Sequence, residues 1–248
     1  MILDENRLFP AESAARSVAV KLYESIRSLP IISPHGHTDP RWFAENGAFP
    51  NPAALLIQPD HYIFRMLYSQ GVSLESLGIP DVDGKQSADP REVWRIFAKH
   101  YYLFRGTPTR LWLDYTFQNQ FGLTERLDPG NADACYDVIA KKLETPEFRP
   151  RALFDSFHIE VLSTTDTPLD TLEFHQAIKA SGWKGRVLPT FRPDSVIDAE
   201  YTGFLGNIQK LGEITGEDVG TFKGYLNALR NRRMFFKSMG ATATDHGH

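Results

Sequence analysis

Residues 158–194 read HIEVLSTTDTPLDTLEFHQAIKASGWKGRVLPTFRPD, and their order of strand, turn, helix and strand decides the fold class. IEVLSTT (159–165) is rich in β-formers and GRVLPTF (185–191) is a second such run. Between them, Asp166 or Thr167 caps a helix begun by Pro168. After Arg192-Pro193-Asp194 a long helical stretch runs to around 239, and ATATDH (241–246) begins a further strand. Strands alternating with helices predict a parallel sheet built from βα units. Upstream, SAARSVAVKLYESIRSL (13–29) sets Val18, Leu22, Ile26 and Leu29 on one helical stripe. Pro30 stops that helix. Residues 31–35 are then expected to form a buried strand whose carboxyl end carries Pro34-His35-Gly36-His37.

From 38 to 157 no segment reads convincingly as a strand. Asp89-Pro90-Arg91-Glu92 supplies an N-cap, a first-turn proline and a capping-box glutamate. Thr145-Pro146-Glu147 opens another helix in the same style. Trp94, Phe97, Tyr101, Phe104, Trp112 and Phe117 add aromatic bulk. The expected organisation is an N-terminal helix and first strand (1–37), an inserted helical subdomain (38–157), and three more strands with their helices (158–248). A (β/α)8 barrel needs eight strands in ~250 residues. The insertion occupies nearly half of the 248 residues, so only about four parallel strands fit. The expected fold is α/β, the first half of a TIM-type barrel, and the sequence is expected to be incomplete beyond His248.

Composition narrows the function. With 42% apolar and 23% charged residues the chain reads as globular. No apolar run approaches the ~18 residues of a membrane span, and the start MILDENRLFP has no signal-peptide pattern. A net charge of −4 argues against nucleic acid as a partner. The densest basic group, Arg230, Arg232, Arg233 and Lys237, reads as a solvated helix end. The single cysteine, Cys135, is expected to be a buried free thiol, and a cytoplasmic location follows.

Several groups carry chemistry. Side chains two apart on a strand point the same way, so the imidazoles of His35 and His37 converge from a rigid strand end while Gly36 faces away. Such a pair suits zinc, manganese or iron; two histidines in a polar loop is the plain alternative. Arg192 ends the third strand and could clamp a carboxylate bidentately, or simply pair with Asp194. Asp245, beside His246, could be a base, a ligand, a histidine orienter or a strand-end cap. Thr164-Thr165-Asp166-Thr167-Pro168 reads mainly as helix capping. His61 and Tyr62, in Asp60-His61-Tyr62, diverge by about 100° on a helix, so both reach one site only near a helix terminus or bend, and Pro59 permits such a terminus; an exposed His beside a packed Tyr is the plain alternative. His100, His158 and His175 have no companions at ligand spacing and are read as structural.

These pieces in this order resemble uronate isomerase, a metal-dependent TIM-barrel family of the amidohydrolase superfamily. The matching stretches are PHGHTDP (34–40), DHYIFRMLYSQGV (60–72), TTDTPLDTLEFH (164–175), VLPTFRPD (187–194) and the terminal TDHGH. They span nearly the whole chain but only the first half of the family's barrel. The resemblance implies interconversion of D-glucuronate with D-fructuronate and of D-galacturonate with D-tagaturonate. It implies that His35 and His37 bind one divalent metal, zinc being expected, and that His61 and Tyr62 reach substrate from the insertion. It also puts Arg192 and Asp245 in the site, with Arg65 matching as a further substrate contact or a structural residue. The family's remaining ligands come from strands absent here, so stand-alone activity of these 248 residues is not expected.

The chemistry suits those residue types. Moving the carbonyl from C1 to C2 removes a proton from C2 and returns one to C1 through an enediol. Tyr62 or His61 would handle that proton, with Tyr62 preferred, and Arg192 would hold the C6 carboxylate. The partner is then a small hexuronate, and a barrel of this size often assembles into a homo-oligomer. Two other readings stand beside this one. A hydrolase of the same superfamily shares the His-x-His pair, although the DHY and RPD segments argue against it. A non-enzymatic half-barrel acting as an assembly partner is the second.

Overall fold

A computed structural model describes residues 3–80, 84 and 88–247. The chain forms two compact units, one of residues 1–28 and 48–149 and the other of 29–47 and 150–248. The sequence reading drew its boundaries at 37/38 and 157/158.

The first unit is helical. It holds α1 (Ser13–Ile26), α3 (Pro52–Leu56), α4 (His61–Tyr68), α5 (Pro90–His100), α6 (Pro108–Asn119) and α7 (Ala132–Leu143). Its helices start where short polar caps dictate. Asp89 accepts from the N–H groups of Arg91 and Glu92 ahead of Pro90, and Thr107 accepts from Arg110 ahead of Pro108. The core is largely aromatic, with Trp94, Phe97, Tyr101, Phe104 and Phe117 all buried. Trp94 Nε1 donates to the Ala132 carbonyl at 2.9 Å, which satisfies its polar edge inside that core. Asp114 is buried too, accepting from the Tyr101 hydroxyl at 2.9 Å and paired with Arg110 at 3.0 Å. Cys135 is a buried free thiol.

The second unit is α/β. A three-stranded sheet runs β1 (Ile31–Ser33), β2 (Ile159–Ser163), β3 (Arg186–Leu188) in that order, both pairings parallel. Around it lie α2 (Pro40–Glu45), α8 (Pro150–Ser156), α9 (Glu173–Ala180), α10 (Asp194–Ile197), α11 (Phe204–Thr215) and α12 (Phe222–Ser238). One core gathers Phe43, Phe154, Leu162, Ile178 and Val187; a second gathers Leu172, Phe191, Val196, Leu211 and Phe236.

Several expectations need correction. The fourth strand is reduced, among the described residues, to one parallel backbone bridge between Phe191 and Thr244. The first strand is not buried. Ile31 and Ile32 are exposed, Ile32 at 63%, because β1 has β2 as its one neighbour in the sheet. No helix begins at Pro168; residues 167–172 turn first and α9 starts at Glu173. The long stretch to 239 is three helices, broken at Gly203 and Gly216, both with positive φ. The helical stripe of α1 exists, but Val18, Leu22 and Ile26 are exposed. Arg232 is not solvated: it is buried on α12 and donates to the carbonyls of Pro168 and Asp170 at 2.6 and 2.7 Å. Among the described residues, no helix is long and apolar enough to cross a membrane.

Candidate active site

The carboxyl ends of the parallel strands bring four of the candidate residues together, His35, His37, Arg192 and Asp245. The His35 and His37 rings stand edge to face with centroids 4.9 Å apart. Gly36 between them lets the first strand end approach the second. A Cβ there would meet the Ser163 carbonyl oxygen at 3.0 Å, and the Thr165 hydroxyl donates to the Gly36 carbonyl at 2.8 Å.

His35 Nδ1 lies 3.4 Å from Asp245 Oδ2. The same carboxylate oxygen accepts from Arg192 Nη1 at 3.1 Å. Arg192 Nε also pairs with Asp194 at 2.5 Å. Burial alone would raise the Asp194 carboxyl, but the hydrogen bonds from Arg192 and the Gly247 N–H hold it below its usual range. The Arg192 guanidinium is pushed further up, chiefly by Asp194. The plain alternative for Arg192, an ion pair with Asp194, is present. Arg192 also reaches across to Asp245 beside His35.

Backbone pairing carries this arrangement past the named strands. Thr164 N–H donates to Leu188 O, Asp166 N–H to Thr190 O and Arg192 N–H to Asp166 O, at 2.9, 3.0 and 2.9 Å. On the other side, Asp245 N–H donates to Phe191 O at 3.1 Å. Arg192 and Asp245 therefore project from adjoining extended segments of one short ladder.

Thr164, Asp166 and His175 form a cluster that the sequence reading missed. Asp166 and His175 are 5% and 4% exposed. Asp166 caps no helix; its Oδ2 accepts from the Thr164 hydroxyl at 2.7 Å and from the Thr190 N–H at 3.3 Å. Burial raises the Asp166 carboxyl to about 6 and lowers His175 to about 4. The available signal was the period of two, which puts Thr164 and Asp166 on one side of an extended segment.

His61, Tyr62 and Arg65 belong to the helical unit. Asp60 caps α4 by accepting from Tyr62 N–H at 2.8 Å, so His61 and Tyr62 are its first two residues. At this terminus their rings lie 4.3 Å apart, and Tyr62 is 66% exposed. Arg65 is also exposed, one turn on from His61. The candidate residues thus fall into two groups, one at the strand ends and one on the first turn of α4. Among the described residues, no group of three His, Cys, Asp or Glu is arranged to hold a metal ion. His248 lies outside the described residues.

Comparison with known proteins gives this architecture a family. The glucuronate isomerase family model matches residues 7–248. The uronate isomerase of Rhizorhabdus wittichii is 58% identical over 246 residues, 99% of this chain and 52% of that protein. That of Rhizobium meliloti is 55% identical over 248 residues, 100% of this chain and 53% of that protein. The crystal structure of glucuronate isomerase from Caulobacter crescentus superposes with a TM-score of 0.96 at 52% identity, covering 99% of this chain and 51% of that one. Uronate isomerase from Thermotoga maritima gives a TM-score of 0.86 at 32% identity, with 99% and 51% covered. The chain spans about half the length of the relatives it matches. It belongs to the glucuronate isomerase family.

Proposed function

We propose that the chain supplies the first half of a (β/α)8-type barrel and, with it, part of a uronate isomerase active site. The reaction is D-glucuronate to D-fructuronate and D-galacturonate to D-tagaturonate. One observation carries this reading: the contact chain Arg192–Asp245–His35 at the ends of neighbouring parallel strands. A guanidinium, a carboxylate and two imidazoles lie where α/β folds collect their chemistry, which supports a site for a sugar acid there.

The residues then take these roles. Arg192 holds the substrate carboxylate, fixed in place by Asp194 and Asp245. A hydrogen leaves C2, the oxygen at C1 takes a proton while that at C2 gives one up, and C1 receives a hydrogen. Tyr62 or His61, exposed at the first turn of α4, moves the carbon-bound proton; Tyr62 is preferred, its exposed phenol being able both to donate and to accept. Arg65, on the same helix, contributes to substrate binding, and Asp245 takes part in proton handling.

His35 and His37 would hold one divalent metal, zinc by preference, as far as their donor chemistry goes. With Nδ1 turned to Asp245, His35 would keep Nε2 for a metal, as an imidazole oriented by a carboxylate. Two imidazoles are only part of a ligand set. When bound, the metal supplies positive charge against the sugar oxygens as negative charge develops there. A cytoplasmic location and a homo-oligomer belong to the same proposal, whose partner is a small hexuronate rather than nucleic acid or a membrane. The 248 residues alone are proposed to be inactive.

The test uses a completed protein, this chain joined to the part of the Caulobacter crescentus glucuronate isomerase that it does not cover. Arg192→Met is expected to lower kcat/KM on D-glucuronate at least about thirtyfold, from the ~2 kcal/mol lower bound for losing such a charge contact. Residual turnover of D-glucose should be untouched. Equal losses on acid and neutral sugar would remove the carboxylate role.

A further inference from the structure

We infer that Asp166, with Thr164 and His175, is a buried bracket that positions Arg192 and Asp245 for the substrate. This inference rests on the uronate reading given above.

A carboxyl group that is nearly inaccessible costs free energy unless its bonding is well made. Packing alone would be served as well by an apolar residue of the same size. Asp166 instead directs both of its backbone groups, and part of its side-chain bonding, at one segment. Its N–H donates to Thr190 O, its carbonyl accepts from Arg192 N–H, and its Oδ2 accepts from Thr190 N–H. Three bonds therefore tie it to residues 190–192. The carbonyl of Phe191, in the middle of that segment, accepts from Asp245 N–H. One residue thus fixes the segment from which Arg192 projects and on which Asp245 is hung.

The other two members hold Asp166 in turn. The Thr164 hydroxyl has one proton. If it donates to Asp166 Oδ2 at 2.7 Å, it can meet His175 Nε2 at 2.9 Å only as an acceptor. His175 must then carry its proton on Nε2. The order is His175 Nε2–H to Thr164 Oγ1, then Thr164 Oγ1–H to Asp166 Oδ2. His175 comes from α9, so this helix braces the strand end through a single hydroxyl. Asp166 touches neither His35 nor Arg192 by side chain, so it is a positioning residue and not a catalytic one.

The completed protein carries the test. Asp166→Ala should raise KM for D-glucuronate about tenfold, the size of one well-made hydrogen bond, with kcat changed much less. Asp166→Asn keeps the acceptor oxygen for Thr164 and Thr190, and should restore most of the lost affinity. Placed on Arg192→Met, Asp166→Ala should add less than about twofold, because two residues acting through one contact are not additive. Where Asp166→Ala fails to fold, Thr164→Val and Thr164→Ser take its place, with loss and rescue expected in that order. An unchanged KM, a fall in kcat alone, or full additivity with Arg192→Met would overturn the bracket. If Arg192→Met itself leaves the uronate KM unchanged, the carboxylate reading fails instead.

Discussion

Removing either titratable member of the buried cluster should tilt the stability of the protein with pH, in opposite directions. The folded state holds the Asp166 carboxyl at about 6 against an ordinary 3.8, because it is buried. A raised carboxyl favours folding most below its unfolded value, and that advantage is lost as pH rises through about 6. His175 is held at about 4 against an ordinary 6.5, again by burial. Its contribution is present above 6.5 and is lost as pH falls through about 4. Each displacement from the ordinary value is worth roughly 3 kcal/mol across its window. In the parent protein the two slopes oppose and nearly cancel between pH 4 and 6.5. His175→Gln leaves Asp166 alone, so stability relative to the parent should decline by about that amount from pH 4 to 6. Asp166→Asn leaves His175 alone, and relative stability should climb from pH 4 to 6.5. Urea unfolding of the completed protein at half-unit pH steps reads both slopes. Two variants with the same slope, or with none, would refute the assignment of these groups as buried and oppositely shifted.

Two further outcomes are expected. His35→Ala in the completed protein should lower bound metal, counted by atomic emission, together with turnover; unchanged metal content would sink the ligand role. Trp94→Ala removes a fully buried ring and its bond to Ala132 from the helical core, and should cost about 3–5 kcal/mol of stability. A loss under ~1 kcal/mol would mean that this core does not depend on the indole.

What could be read from the sequence was mostly local. Asp89-Pro90 announces a helix start because capping needs only the residues that show it. The βα rhythm of 158–194 gave the parallel sheet for the same reason. Failures came where a neighbour decides. Asp166 has the composition of a cap, yet it turns inward because Thr164, Thr190 and His175 meet it there. Arg232 reads as a solvated cation, but the free carbonyls of Pro168 and Asp170 draw it in. Residues 241–246 have strand composition, yet one bridge to Phe191 is the extent of their pairing among the described residues. Gly203 and Gly216 break the long helix because both take positive φ, whereas Gly206, Gly212 and Gly224 sit inside helices, so glycine alone does not mark the breaks. At the strand ends, the closeness of His35 and His37 was legible from their spacing of two. The link from His35 through Asp245 to Arg192 was not, since it joins residues 210 and 53 positions apart.

Conversion of D-glucuronate by the completed protein tests the central claim most directly. The protein, loaded with zinc, is incubated with the sugar acid and followed by proton NMR. D-fructuronate is expected to appear and approach equilibrium, and a chelator to stop its formation. A folded, metal-loaded chimera that makes no D-fructuronate, while the parent Caulobacter crescentus protein does under the same conditions, would contradict it.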